Sequence, residues 1–459
     1  MKFHGRKSEL GLLRAERDSP RSGFVPIYGR RRVGKSELIV RFMEGEGIYF
    51  VGKRAPGAAQ IREFLEVGSR ALAEPLLATA RVSTWKEALS LVVGRWPYQQ
   101  RGRLVLALDE FQWMAQASPE LPSVLQELWD REWSKSGQVL LILCGSYLGF
   151  MEKEVLGRQS PLFGRRTAQI HLRPFNHLEA AEFHAGSSIN DLACIYGICG
   201  GVPMYLEAWD HARSVHQNIA RLFLDETSIL AREPDFLLRE ELRDLTSYHA
   251  VLMEMARGVA ASTEIAKGAG IDPRAINYHL STLCDLGYVA RHYPVTGKRP
   301  SARVVRYHLD DPVLRFWFRF VFPNQSLIRA LGPARSFAEL IRPQLDSWLG
   351  DCFERLCREC LPGIYARDGV TAAFEIGQYW DARVQLDVVG VRQDGWTDVG
   401  ECKWGTVSPA KIAAELEEKI ARFPNPRNAT IGRHLFLKSA VRGHPPNVRI
   451  HTLADLYLR

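Results

Sequence analysis

Residues 29–36 read Gly-Arg-Arg-Arg-Val-Gly-Lys-Ser. Gly29 and Gly34 let the backbone curl, so the amides of Arg30, Arg31, Arg32 and Val33 between them can converge on phosphate oxygens. Lys35 has the length and charge to reach the β- and γ-phosphates, and the Ser36 hydroxyl can ligate Mg²⁺. A short apolar strand, Phe24–Tyr28, runs into this segment, and residues 37–43 follow with helical spacing. The helix N-terminus adds positive potential. The expected ligand is Mg·ATP. Pro26 fits less easily, because it removes a ladder donor from a strand expected in mid-sheet.

A second apolar run, 103–108, ends in Asp109-Glu110. A continuous apolar strand is one covered on both faces. An acid at its tip can hold the Mg²⁺ shell and its neighbour can take a proton from water, so Asp109 is assigned to metal and Glu110 to general base. Alone, such a run is usually a solvated strand end; behind a phosphate loop it gains chemical meaning. A third run, 139–144, ends in Gly145-Ser146, where the hydroxyl of Ser146 either contacts the γ-phosphate or the attacking water, or merely closes a turn.

In the C-terminal third, 384–391 alternates as a strand and includes Asp387, and 398–404 contains Glu401-Cys402-Lys403. Period two puts Glu401 and Lys403 on one face and Cys402 on the other. A hairpin brings Asp387 beside them, and Glu354 on a preceding helix can complete a metal shell. Two carboxylates and a lysine at one point can bind Mg²⁺ or Mn²⁺ and aim a water at a phosphodiester. The bland alternative is a solvated salt-bridge face. Cys357 and Cys360 lack the partner pair that a zinc site needs and read as buried small residues.

These segments must be positioned by strands alternating with helices, which points to a parallel α/β sheet with ligand at the strand C-termini. Between 246 and 324 the pattern changes to short helices and a hairpin: a helix over 248–257, another opened by a hydroxyl cap at Ser262, and a third over 273–283 with Pro273 at its start. This order reads as a winged helix-turn-helix. Arg274, Asn277, Tyr278 and Ser281 would face bases, with Lys298, Arg299 and Arg303 on the wing. The alternative is a lid or protein contact. The aromatics of 316–322 read as core.

The set resembles the archaeal-type P-loop ATPases related to the AAA+ and STAND groups. The resemblance rests on Phe3–Leu10, the phosphate loop, Asp109–Gln112, Gly145-Ser146, Pro161–Thr167 and Gly200–Pro203, in that order over about the first 240 residues. It implies that Arg165 or Arg166 serves as an arginine finger or sensor; otherwise both bind a carboxylate within the domain. Asp387, Glu401 and Lys403 with Glu354 resemble the PD-(D/E)xK nuclease superfamily, with Leu386 where proline is common. The architecture implied is a P-loop NTPase parallel sheet with helical lid (1–240), a winged helix-turn-helix with linker (246–324) and a restriction-endonuclease-like α/β domain (335–459).

The whole chain is compatible with this. Its 459 residues suit two to four domains of roughly 100–200 residues. Hydrophobic and charged fractions of 46% and 24% are those of globular proteins. The longest apolar run falls short of a membrane span, the N-terminus lacks a signal-peptide core, and eight irregularly spaced cysteines do not form a disulfide framework, so a cytoplasmic, reduced protein is expected. A net charge of +8 favours a polyanion such as DNA, and charge alone balances that reading evenly against a soluble protein that is merely basic. A finger in trans would require a homo-oligomer.

Overall fold

The computed structural model describes residues 3–296, 304–440 and 443–458. Lys298, Arg299 and Arg303 lie outside the described residues. The chain divides into two compact units, 1–174 with 285–287, and 175–284 with 288–459.

The first unit is built on five parallel strands: β1 (Gly23–Tyr28), β2 (Ile48–Val51), β3 (Leu104–Asp109), β4 (Val139–Gly145) and β5 (Ile170–His171), in the order β2-β3-β4-β1-β5. β1, β3 and β4 are buried along their whole length, which is why each reads as an unbroken apolar run. β2 and β5 are short edge strands and carry no such signal. Tyr28 pairs with Gly145 and Val51 with Asp109, so the strand tips come level. Pro26 is accommodated by the edge. Phe24 N–H donates to the Thr167 hydroxyl at 2.9 Å, so by alternation the Pro26 nitrogen faces the same side, and β5 pairs only from Ile27 onward. The missing donor therefore falls in a gap between partners. One sheet face packs on an aromatic cluster in which Phe50, Phe64 and Trp85 meet with ring centroids 5.6–6.0 Å apart. The helix Trp85–Gly94 below it is started by a Thr84/Glu87 capping box, worth about 1 kcal/mol.

The second unit contains three helices, Leu245–Ala256, Ser262–Ala269 and Ile276–Asp285, followed by antiparallel β6 (Val289–His292) and β7 (Arg306–Leu309). Two expectations need correction here. Ser262 lies inside its helix, whose N-cap is Ala261 without a side-chain bond. Pro273 does not open the third helix; Asp272 closes a turn on the Arg274 N–H at 2.7 Å, and the helix begins at Ile276. The Asp side chain supplies a local turn that competes with helix. Phe316, Trp317, Phe318 and Phe320 are buried, and Trp317 Nε1–H donates to the Ala231 carbonyl at 2.8 Å; they form core.

The chain ends in a mixed sheet ordered β12-β11-β10-β9-β8: β8 (Phe374–Trp380), β9 (Gln385–Arg392), β10 (Trp396–Lys403), β11 (Thr430–Leu437) and β12 (Arg449–Thr452). β8 pairs with β9 and β9 with β10 antiparallel, whereas β10 pairs with β11 and β11 with β12 parallel. The helices Arg342–Arg367 and Pro409–Arg422 cover it. Tyr365 OH reaches Asp398 and Lys419 reaches Glu401. Strand alternation places Asp398 and Glu401 on opposite faces, so the two helices do the same. Among the described residues no helix is long and apolar enough to cross a membrane.

Candidate functional site

At the tips of β1, β3 and β4 the first unit gathers Gly29–Ser36, Asp109, Glu110 and Ser146. Gly29 admits no side chain, since a Cβ there would lie 2.2 Å from the Leu172 carbonyl oxygen. Gly34 has φ 90° and Arg32 φ 68°, the left-handed turns that curl the loop. The helix Lys35–Met43 follows directly. Lys35 is 7% exposed, and its ammonium donates to the carbonyls of Gly29 at 2.8 Å and Arg30 at 3.0 Å. Burial lowers the Lys35 pKa, opposed by Cys144, Glu110 and Asp109.

The Ser36 hydroxyl donates to Asp109 Oδ2 at 2.6 Å, and Tyr49 OH donates to the same oxygen at 2.6 Å. The two groups expected to hold Mg²⁺ are thus already in contact. One hydroxyl and one carboxylate suit Mg²⁺, which takes few protein ligands and completes its shell with phosphate and water. Glu110 Oε2 accepts from Ser146 Oγ at 2.8 Å and from Gln112 Nε2, and Gln112 Nε2 also lies 3.2 Å from Ser146 Oγ. Gln112 Oε1 is buried and meets no donor among the described residues, an orphaned acceptor beside Glu110 that a water proton can satisfy. The donor set fits Mg·ATP.

Tyr49 is a participant that sequence reasoning missed, because nothing in its neighbourhood marks β2 as part of the site. Gln112 stood inside the Asp109–Gln112 segment without an assigned role. The two arginines separate clearly. Arg165 is bidentate to Asp130 at 2.8 and 2.7 Å and also donates to the Pro161 and Phe163 carbonyls, so its guanidinium is spent within the domain. Arg166 is exposed and acts on the Tyr28 phenol, whose pKa burial and Glu152 raise while Arg166 and Arg173 hold it back.

In the second unit Asp387, Glu401, Lys403 and Glu354 do come together, but each is engaged. Glu401 is fully buried, with Lys419 Nζ at 2.6 Å and Lys403 Nζ at 3.8 Å. Asp387 Oδ2 accepts the Cys402 N–H at 3.1 Å. Arg358 donates to the Asp387 carbonyl at 2.7 Å and stands 3.9 Å from Glu354. Burial first, then Asp387, pushes Glu354 up to about 8 and Glu401 up to about 7. No group of three His, Cys, Asp or Glu is arranged to hold a metal among the described residues. In this arrangement the donors do not fit a divalent cation, because Lys419 already neutralises Glu401. All eight cysteines are free, and Cys357 and Cys360 are buried.

Arg274, Asn277 and Tyr278 are exposed at and before the start of the Ile276–Asp285 helix, Tyr278 by 70%. Ile276, Leu280 and Leu283 face inward.

Residues 3–209 match the family described as an ATPase domain predominantly from Archaea. Residues 317–415 match a family described as archaeal and bacterial proteins of unknown function. An uncharacterized protein of Methanocaldococcus jannaschii is 28% identical over 399 residues, 85% of each chain. An uncharacterized ATP-binding protein of the same organism is 41% identical over 46 residues, 10% of this chain and 78% of that one. A Walker-type ATPase of Pyrococcus abyssi superposes with a TM-score of 0.52 at 19% identity, over 69% of this chain and 96% of that chain, a likeness of fold. The chain therefore carries an archaeal-type ATPase domain followed by a distinct C-terminal domain.

Proposed function

We propose, with the archaeal-type ATPase domain as premise, that the chain is an ATP-hydrolysing switch that acts on DNA. The observation that carries this reading is the convergence of Ser36, Asp109, Glu110, Gln112 and Ser146 at adjoining strand tips. The amides of the 29–34 loop and the Lys35 ammonium bind the phosphates. Mg²⁺, when bound, neutralises charge on the β- and γ-phosphates, and Ser36 and Asp109 are the residues that would hold it. Glu110, held by Ser146 and Gln112, takes a proton from the water that attacks the γ-phosphorus as the bond to the β-phosphate oxygen breaks and ADP leaves. Arg166 is the arginine free to offset developing charge.

Lys35→Ala should abolish nucleotide binding. Glu110→Gln should keep it while lowering turnover by about 10²-fold or more. Binding by calorimetry and phosphate release decide this; normal turnover in either variant removes the assignment. The DNA contact belongs to Arg274, Asn277 and Tyr278 on a winged helix-turn-helix. Assembly as a homo-oligomer, which an Arg166 finger in trans would require, is read out by light scattering with and without nucleotide.

A second reading, a metal-dependent nuclease at Asp387, Glu401, Lys403 and Glu354, is favoured by the gathering of those four side chains. It requires Glu401 to leave Lys419. Plasmid and short branched DNA are incubated with Mg²⁺ or Mn²⁺, with and without ATP. Cleavage by the native protein and not by Lys403→Ala establishes this reading; no cleavage with ATP turnover intact leaves the switch.

A further inference from the structure

The parallel strands β10, β11 and β12 all end at the same place. The residues that follow them, Trp404 to Thr406, Lys438 to Ala440 and Leu453-Ala454, line one cavity of about 690 Å³. Carboxyl ends of parallel strands are where open α/β sheets receive ligands, because the chain leaves each strand there and the loops diverge. The volume is in the class of small-organic-ligand sites, about 300–1,000 Å³. This cavity is not the Asp387–Glu401 cluster. Alternation turns Trp404 to the opposite face from Lys403, and Trp404 packs on Phe353 at 5.6 Å.

Its lining is rich in donors. Lys438 forms no ion pair among the described residues, and its ammonium rests 4.3 Å from the Trp404 ring centroid. That contact fixes the charge at the wall while an anion can still reach it. Thr406 and Ser439 present exposed hydroxyls. The eleven-residue helix Ile189–Cys199 begins at the cavity with Ile189 and Asn190. Its first-turn acid, Asp191, is occupied by the Ser188 hydroxyl at 2.8 Å. Independently, the Trp404 indole is 6% exposed and its Nε1–H meets no acceptor among the described residues. A buried donor without a partner is costly, so an acceptor atom delivered by a ligand is favoured there. The exposed Asp346 at the rim supplies the one carboxylate among the described lining residues, suited to a hydroxyl or amine.

We propose that this cavity binds an organic phosphate monoester of nucleotide size, with its phosphate on Lys438, Ser439, Thr406 and the 189–199 helix N-terminus. Two sources share this chemistry, a free nucleoside monophosphate and the 5′-phosphorylated end of a DNA strand.

The test is isothermal calorimetry on the full chain carrying Lys35→Ala, titrated with AMP, adenosine, and a short oligonucleotide with and without its 5′-phosphate. At least one phosphorylated probe binds at least tenfold more tightly than its dephosphorylated counterpart, about 1.4 kcal/mol, the oligonucleotide without phosphate giving the baseline for DNA held elsewhere, and adding Lys438→Met removes that margin. Thr406→Val, at an exposed position, weakens it too, and unchanged circular dichroism shows that both variants fold. A phosphate-dependent margin for AMP alone identifies free nucleotide; one for the oligonucleotide alone identifies a strand end. No phosphate-dependent margin for either probe, or a margin that is equal with and without Lys438, overturns the proposal. If the phosphate-loop assignment is what fails, Lys35→Ala still binds ATP, and the difference at Lys438 is read separately.

Discussion

Asp109 Oδ2 is shared by two hydroxyl donors, Ser36 and Tyr49, both at 2.6 Å. A metal that claims that oxygen competes with both, so Tyr49 tunes the carboxylate it touches. Tyr49→Phe removes one competitor, and the Mg²⁺ concentration that half-saturates turnover should fall, with kcat changing less; a metal titration of phosphate release checks this. Glu401 poses the opposite problem, a buried carboxylate that depends on Lys419. Lys419→Met leaves only Lys403 at 3.8 Å and should cost about 3 kcal/mol, read as a lower urea midpoint. Lys403→Ala, which removes the more distant ammonium, should cost clearly less. Equal losses would mean that the 2.6 Å pair carries no special weight.

The helix Ile276–Asp285 is decided by its two faces. Ile276, Leu280 and Leu283 hold it to the unit, while Asn277 and Tyr278 project outward and are free to change without loss of fold. The double variant Arg274→Ala/Tyr278→Ala should keep the native melting temperature and weaken DNA binding, and it should flatten the salt slope by about one unit for the lost cation. An unchanged slope in a fluorescence-anisotropy titration would leave this helix as a lid. The start of the helix was legible only approximately. Pro273 signals a first turn by propensity, yet Asp272 captures the Arg274 N–H, and a local side-chain bond of that kind cannot be ranked against propensity from the sequence.

Across the second unit, two imidazoles are held neutral, one buried (His451) and one half-buried (His308). His308 is lowered to about 3, by burial first and His292 next, and His451 to about 4, by burial and then His434. The unfolded chain binds protons at these positions near pH 6.5 that the folded chain refuses. Stability is therefore complete above that value and lost as pH falls toward the folded values, at on the order of 1 kcal/mol per pH unit for each group. The urea midpoint of the transition that reports this unit should fall between about pH 7 and about pH 5. His451→Asn should flatten that dependence; a slope unchanged by the substitution would assign the loss to other groups.

The phosphate loop, the acid-tipped strand and the Gly-Ser strand end were legible before any fold was known. Each is a local pattern, in which chemistry and structure are written within a few consecutive residues. The sequence also marked β1, β3 and β4, because strands buried on both faces must be apolar throughout. Only the tertiary structure decided which side chains meet across distance. It put Tyr49 on Asp109, Gln112 between Glu110 and Ser146, Asp130 on Arg165, and Lys419 on Glu401. Those partners come from separate elements, brought together by strand order and helix packing. The Asp387, Glu401 and Lys403 pattern was legible as spacing, but whether its carboxylates stand open or neutralised depends on Lys419, 18 residues beyond Glu401, on a helix whose sequence gives no sign of where that side chain will point.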